Sequence, residues 1–116
     1  NCSEAYVKDV GYVAIGEGKW EIYVGGAAGA HVRKGDLLAV VESHEAALTL
    51  TDRFLQYYIE NARYLERTYG FVERVGIAAL RAIVVDDSEG IGERLEATLK
   101  VQLDAYVEKY FAGINL

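Results

Sequence analysis

The sequence predicts an α+β fold, in which a small antiparallel β-sheet from the first half is packed by a helical second half. Three observations predict it. Residues 1–42 carry short apolar runs, partly alternating with polar residues and divided by glycine turns. From Ser43 onward apolar residues recur at helical spacing instead. Hydrophobic residues make up 52 % of the 116, enough for one core and one domain. The expected organisation is one unit over 1–116, with a β-rich half at 1–42 and a helical half at 43–116.

The elements follow in order. Asn1 to about Val10 predicts a short helix, with Asn1 and Glu4 at the spacing of a capping box. Cys2 then takes the first helical position, where the positive end of the dipole favours a thiolate. Its functional reading is a metal or cluster ligand; its plain reading is a lone cysteine near a chain end. Tyr12–Ile15 and Trp20–Val24 read as strands joined by a glycine turn at Gly16–Lys19. Leu37–Val41 reads as a third strand after the Lys34-Gly35-Asp36 turn.

The loop Gly25-Gly26-Ala27-Ala28-Gly29-Ala30 has no side chain larger than a methyl group. Its spacing is not that of a dinucleotide fingerprint. Small residues let a backbone approach something flat or bulky. His31, Arg33 and Lys34 follow as a short basic cluster in an acidic chain. Two readings stay open: packing against a large anionic cofactor, or a flexible loop with solvated charges.

In the second half Ser43 is the expected N-cap of a long helix. Ala47, Leu50, Phe54, Tyr58, Ala62, Leu65 and Tyr69 share one face, and Gly70 is its expected C-cap. Thr49 and Thr51 mark a kink or a later start. A short turn at 71–75 stops at Gly76, and Ile77–Val85 forms a second, short helix. Asp87 or Ser88 caps a last helix, with Ile91, Leu95, Leu99, Leu103, Tyr106 and Tyr110 as its packing stripe.

Composition narrows the function. A net charge of −6 disfavours nucleic acid and anionic membranes as partners. No apolar run approaches the roughly 18 residues of a membrane span. No signal peptide opens the chain, and one cysteine excludes an internal disulfide, so a cytoplasmic location is expected. His31 and His44 lack ligand partners at metal spacing, Ser43-His44-Glu45 reads as a helix start, and Asp86–Glu89 lacks a calcium-loop pattern. No catalytic acid/base pair is named. The chain neither begins with nor contains methionine, which predicts a piece of a longer protein.

Asn1-Cys2-Ser3-Glu4-Ala5 with Lys8-Asp9-Val10-Gly11 resembles the stretch after the last cluster cysteine of siroheme nitrite and sulfite reductases. Trp20–Gly26 resembles the family strand that ends in a double glycine beside the siroheme, and His31–Lys34 its basic turn. Ala62–Thr68 with Val72–Gly76 is similar to the large subunit of NAD(P)H-dependent assimilatory nitrite reductase. The resemblance covers about residues 1–85. It implies that Cys2 is the fourth cysteine of a [4Fe–4S] cluster and bridges to the siroheme iron. It implies that Gly25 and Gly26 let the backbone approach the macrocycle, with Arg33 in the siroheme vicinity beside His31 and Lys34.

The resemblance also implies a parent enzyme that reduces nitrite to ammonium. Its FAD and NAD(P)H domains lie upstream in the same polypeptide, and a small reductase subunit is a further partner. The piece alone is expected to be inactive, free of cluster and siroheme, and able to self-associate through an open strand edge. The alternatives are a sulfite reductase haemoprotein fragment, discriminated by Ala62–Thr68, and a non-enzymatic α+β binding or assembly module.

Overall fold

The computed structural model describes residues 2–111, with side chains for 4–109. The predicted capping-box residue Asn1 lies outside the described residues, as do the side chains of Cys2 and Tyr110. The chain opens with one helical turn, α1 (Cys2–Ala5), shorter than expected. Val10 already belongs to β1 (Val10–Gly16), because its apolar side chain joins the sheet's packing against the core. A tight turn leads into β2 (Lys19–Val24). Gly16, Glu17 and Gly18 all hold left-handed backbone there, which glycine supplies at two of the three positions.

After β2 the glycine loop forms a two-stranded ribbon, β3 (Ala27–Ala28) with β4 (Val32–Arg33). The chain then enters β5 (Asp36–Val41). The main sheet is antiparallel, in the order β1-β2-β5, with Val13 opposite Glu21 and Glu21 opposite Val40. Its two edges differ. At β5 the Arg81 side chain donates to the Leu37 carbonyl at 2.9 and 2.6 Å. β1 has no strand partner beyond β2 among the described residues.

α2 (His44–Asn61) starts at the expected N-cap: Ser43 is extended and its Oγ accepts from the Ala46 N–H at 3.1 Å. The helix runs unbroken through Thr49 and Thr51. Thr51 donates its hydroxyl to the Ala47 carbonyl at 2.7 Å within this unbroken helix. The expected continuation to Gly70 does not occur. Ala62 leaves the helix with extended backbone, and Leu65 is left-handed and exposed. Leu65 and Tyr69 extend the apolar spacing without sharing the helix. Gly70 lies instead inside α3 (Thr68–Val75), which ends at Gly76 as expected.

The expected helix over Ile77–Val85 is an α-turn, α4 (Ile77–Leu80), widening into a π-turn at Arg81–Val85. α5 (Gly92–Phe111) starts later than its cap suggested: the Asp87 carboxylate accepts from the Gly92 N–H at 2.9 Å. Leu95 and Leu99 bury against the body, but Leu103 and Tyr106 are exposed, so the stripe is a packing face only in its first half. Arg53–Glu96 at 2.8 Å and Arg94–Glu60 at 2.9 Å tie α5 to α2. Ile22, Val24, Leu38 and Val41 from the sheet meet Leu50, Phe54, Phe71, Val72, Leu80 and Val84 from the helices in one core. The fold is therefore α+β. Among the described residues no helix is long and apolar enough to cross a membrane.

Candidate functional site

The segment after Cys2 and the glycine loop are fastened together by backbone hydrogen bonds. The Gly25 N–H donates to the Asp9 carbonyl at 3.0 Å, Gly26 to Lys8 at 3.0 Å, and Gly35 to Tyr6 at 2.7 Å. Segments 16 to 29 residues apart in the chain thus form one wall just after the end of α1. Tyr6 packs edge-on to Tyr23, with ring centroids 4.7 Å apart, and Lys34 sits over the Tyr6 ring. Burial, reinforced by the hydrogen bond to Glu21, pushes the Tyr23 hydroxyl pKa up to about 12, so it acts as a donor.

Gly25 and Gly26 have reasons inside the protein. A Cβ on Gly25 would sit 2.7 Å from the Val72 side chain, and its φ is left-handed. A Cβ on Gly26 would sit 2.3 Å from the Tyr6 carbonyl oxygen. Both glycines are required for the loop to lie on α3 and on the turn after α1, whatever lies outside. Arg33 has an internal task too: it donates to the Gly25 carbonyl at 2.9 Å and pairs with Asp36 at 3.0 Å and Glu73 at 3.3 Å. It braces the loop, and its charge is matched.

The open end of the loop is different. A Cβ on Gly29 would meet nothing within 4 Å. Here Ala27–His31, Lys8, Asp9, Arg67 and Tyr69 line a groove of about 380 Å³. His31 lies flat on Tyr69, with centroids 4.6 Å apart and planes 16° from parallel. Thr68 donates a hydrogen bond to Asp9. Lys8 and Arg67 have no acidic partner within ion-pair distance among the described residues.

The Arg67–Tyr69 side is set by the break after α2. Arg74 pairs with Glu66 at 2.7 Å and donates to the Asn61 carbonyl at 3.0 Å. That guanidinium, with the Arg63 N–H, holds the Glu66 carboxyl down at about 2. A larger cleft of about 530 Å³ runs along α5 but is lined by Asp52, Glu93, Glu96 and Asp104, which suits no anion.

The structure brings Gly25, Gly26, Arg33 and the backbone that follows Cys2 into one region. Sequence reasoning missed Lys8, Arg67 and Tyr69; Tyr69 had been assigned to a helix face. One signal was available for Arg67: no acid stands three or four positions from it, so helical pairing cannot neutralise it.

Residues 1–91 match the family described as nitrite and sulphite reductase 4Fe-4S domain. The chain belongs to this family. It is 43 % identical over 108 residues to the nitrite reductase [NAD(P)H] of Bacillus subtilis, covering 91 % of this chain and 13 % of that one. It is 36 % identical over 116 residues to the nitrite reductase (NADH) large subunit of Escherichia coli, covering 98 % and 14 %. It is 40 % identical over 84 residues to an assimilatory-type sulfite reductase of Nitratidesulfovibrio vulgaris, covering 72 % and 38 %. The chain thus spans about an eighth of the length of the two nitrite reductases. α5 lies beyond the family match yet within the near-complete match to the E. coli large subunit.

A cubane cluster takes about four thiolates. This chain has one cysteine, and no three His, Cys, Asp or Glu residues are grouped for a metal ion among the described residues. By itself the donor set does not fit a cluster. The groove does fit the edge of a flat acidic ring: two cations without an acidic partner among the described residues, an aromatic stack and a wall without bulk.

Proposed function

We propose that this chain is the C-terminal part of the siroheme-[4Fe–4S] region of an NAD(P)H nitrite reductase large subunit, which reduces nitrite to ammonium. The observation that carries the reading is the match along 98 % of the chain, α5 included, to a nitrite reductase large subunit. In the parent, Cys2 would supply one cluster thiolate, and the remaining cluster thiolates would come from outside these residues. When bound, the siroheme supplies an iron at which an anion is reduced. The role of this chain is structural: Tyr6, Lys8 and Asp9 pin the glycine loop, and Arg33 braces it. The loop and Arg67 then present a flat cationic wall.

FAD and NAD(P)H domains upstream in the same polypeptide, a small reductase subunit and a cytoplasmic location belong to the same proposal. The 116-residue piece on its own is inactive and holds neither cluster nor siroheme. Iron and acid-labile sulfide analysis of the purified piece tests this directly. The expected result is iron far below one equivalent, and stoichiometric iron would refute it. In the parent, Cys2→Ser should abolish the siroheme and cluster spectra; unchanged spectra sink the ligand role.

A second reading, a sulfite reductase fragment, is favoured by the 40 % identity to the assimilatory-type sulfite enzyme. Turnover of the purified parent with each anion decides between them. A higher kcat/KM for sulfite than for nitrite would replace the first reading with the second.

A further inference from the structure

Lys8 and Arg67 are the unexplained charges of the groove. Of the chain's 12 basic residues, these two line the groove with no acidic partner within ion-pair distance among the described residues. Arg33, Arg53, Arg74 and Arg94 all pair with carboxylates, and Arg81 is used on a backbone carbonyl. Lys8 and Arg67 instead face a shared opening from sequence positions far apart. The acid beside them, Asp9, accepts a hydrogen bond from Thr68.

We propose that Lys8 and Arg67 together hold a carboxylate on the rim of a flat polycarboxylate tetrapyrrole, whose face lies along the open end of the loop at Gly29. The inference rests on the siroheme reading above and adds two residues to it. A guanidinium and an ammonium lining one groove suit a rim carboxylate, with Arg67 offering the planar fork. The empty space where a Gly29 Cβ would stand lets the ring approach the backbone. The His31–Tyr69 stack limits how far the ring can slide. The groove's volume of about 380 Å³ admits an edge of such a ring rather than its whole area. Both residues are positioning residues: they touch the ring's periphery and take no part in the anion's reduction.

The test uses the purified parent holoenzyme with Lys8→Gln, Arg67→Gln and the double variant, and Arg63→Gln as a control away from the groove. The readout is loss of siroheme, followed by absorbance as the cofactor leaves. Each variant is expected to lose it roughly tenfold faster, in keeping with one charge-assisted hydrogen bond removed. Raising ionic strength should speed loss from the wild type more than from the double variant. Both side chains are exposed, so equal melting temperatures are expected and separate this effect from unfolding. Equal siroheme loss in wild type and double variant overturns the inference while leaving the siroheme reading standing. A wild-type parent that contains no siroheme overturns that reading, and the inference falls with it.

Discussion

The two ends of the glycine loop look alike in sequence and differ in structure. At one end, Gly25 and Gly26 have their missing side chains' space filled by Val72 and by the backbone of Tyr6 and Lys8. At the other, Gly29 faces open space beside two cations without an acidic partner among the described residues. The first end fixes where the loop sits. The second is the part of the loop free to meet a ligand. A glycine is therefore informative about binding only when nothing in its own protein explains it.

The largest expected effect breaks the closed end. Gly26→Ala places a Cβ 2.3 Å from a carbonyl oxygen and 2.8 Å from another, and backbone cannot rotate away as a side chain would. The cost should be about 3 kcal/mol, at the upper end for overpacking. Thermal unfolding of the variant should show a midpoint lower by roughly 10–20 °C. A fall of only a degree or two would mean that the loop is not held against the Tyr6–Asp9 segment as described.

A smaller effect separates the ends by pH. Glu66 titrates at about 2 in the fold, below its ordinary value of 4.5, because Arg74 grips its carboxylate. A depressed folded pKa gives stability that is complete above 4.5 and is lost as pH falls toward 2. Glu66 and Arg74 hold the α2–α3 break, which carries the Arg67–Tyr69 side of the groove. Acid should therefore loosen that side before the closed end of the loop. Hydrogen exchange across this window should rise at 67–70 earlier than at Gly25 and Gly26. Simultaneous opening, or a Glu66→Gln variant with unchanged acid sensitivity, would show that the pair has no such local role.

The contrast also explains what the sequence made legible. The strands, the Gly16–Lys19 turn and the Ser43 cap are encoded within a few residues, and alternation or capping chemistry reads them out. The break after Asn61 is not local. It is held by Arg74 reaching back to Asn61 and Glu66, and by Tyr58 donating to the Glu66 carbonyl, while Leu65 and Tyr69 happen to continue the apolar spacing. The second half of α5 misleads in the same way, since Leu103 and Tyr106 keep the stripe after the body has ended. At the site, the loop's composition signalled close approach, and at Gly25 and Gly26 the structure shows an approach to the protein's own residues. It could not say that Val72 and Tyr6 occupy the near side of Gly25 and Gly26. Nor could it say that Arg67 and Lys8 line one groove.

The smallest effect on folding is the most discriminating for function. Gly29→Ala adds one methyl group to open space, and its φ is not in the left-handed region, so no strain is added. Stability should change by less than about 0.5 kcal/mol, the usual range for a surface substitution. The same substitution at Gly26 should cost about 3 kcal/mol, although each change adds only a methyl group. If the open end meets a flat ring in the parent, Gly29→Ala should still weaken cofactor retention, and Gly29→Val should weaken it further. Stability unchanged with retention reduced would assign the closed end of the loop to the fold and the open end to the ligand. Unchanged retention in both variants would leave Gly29 with neither role, and the open end would be a surface turn.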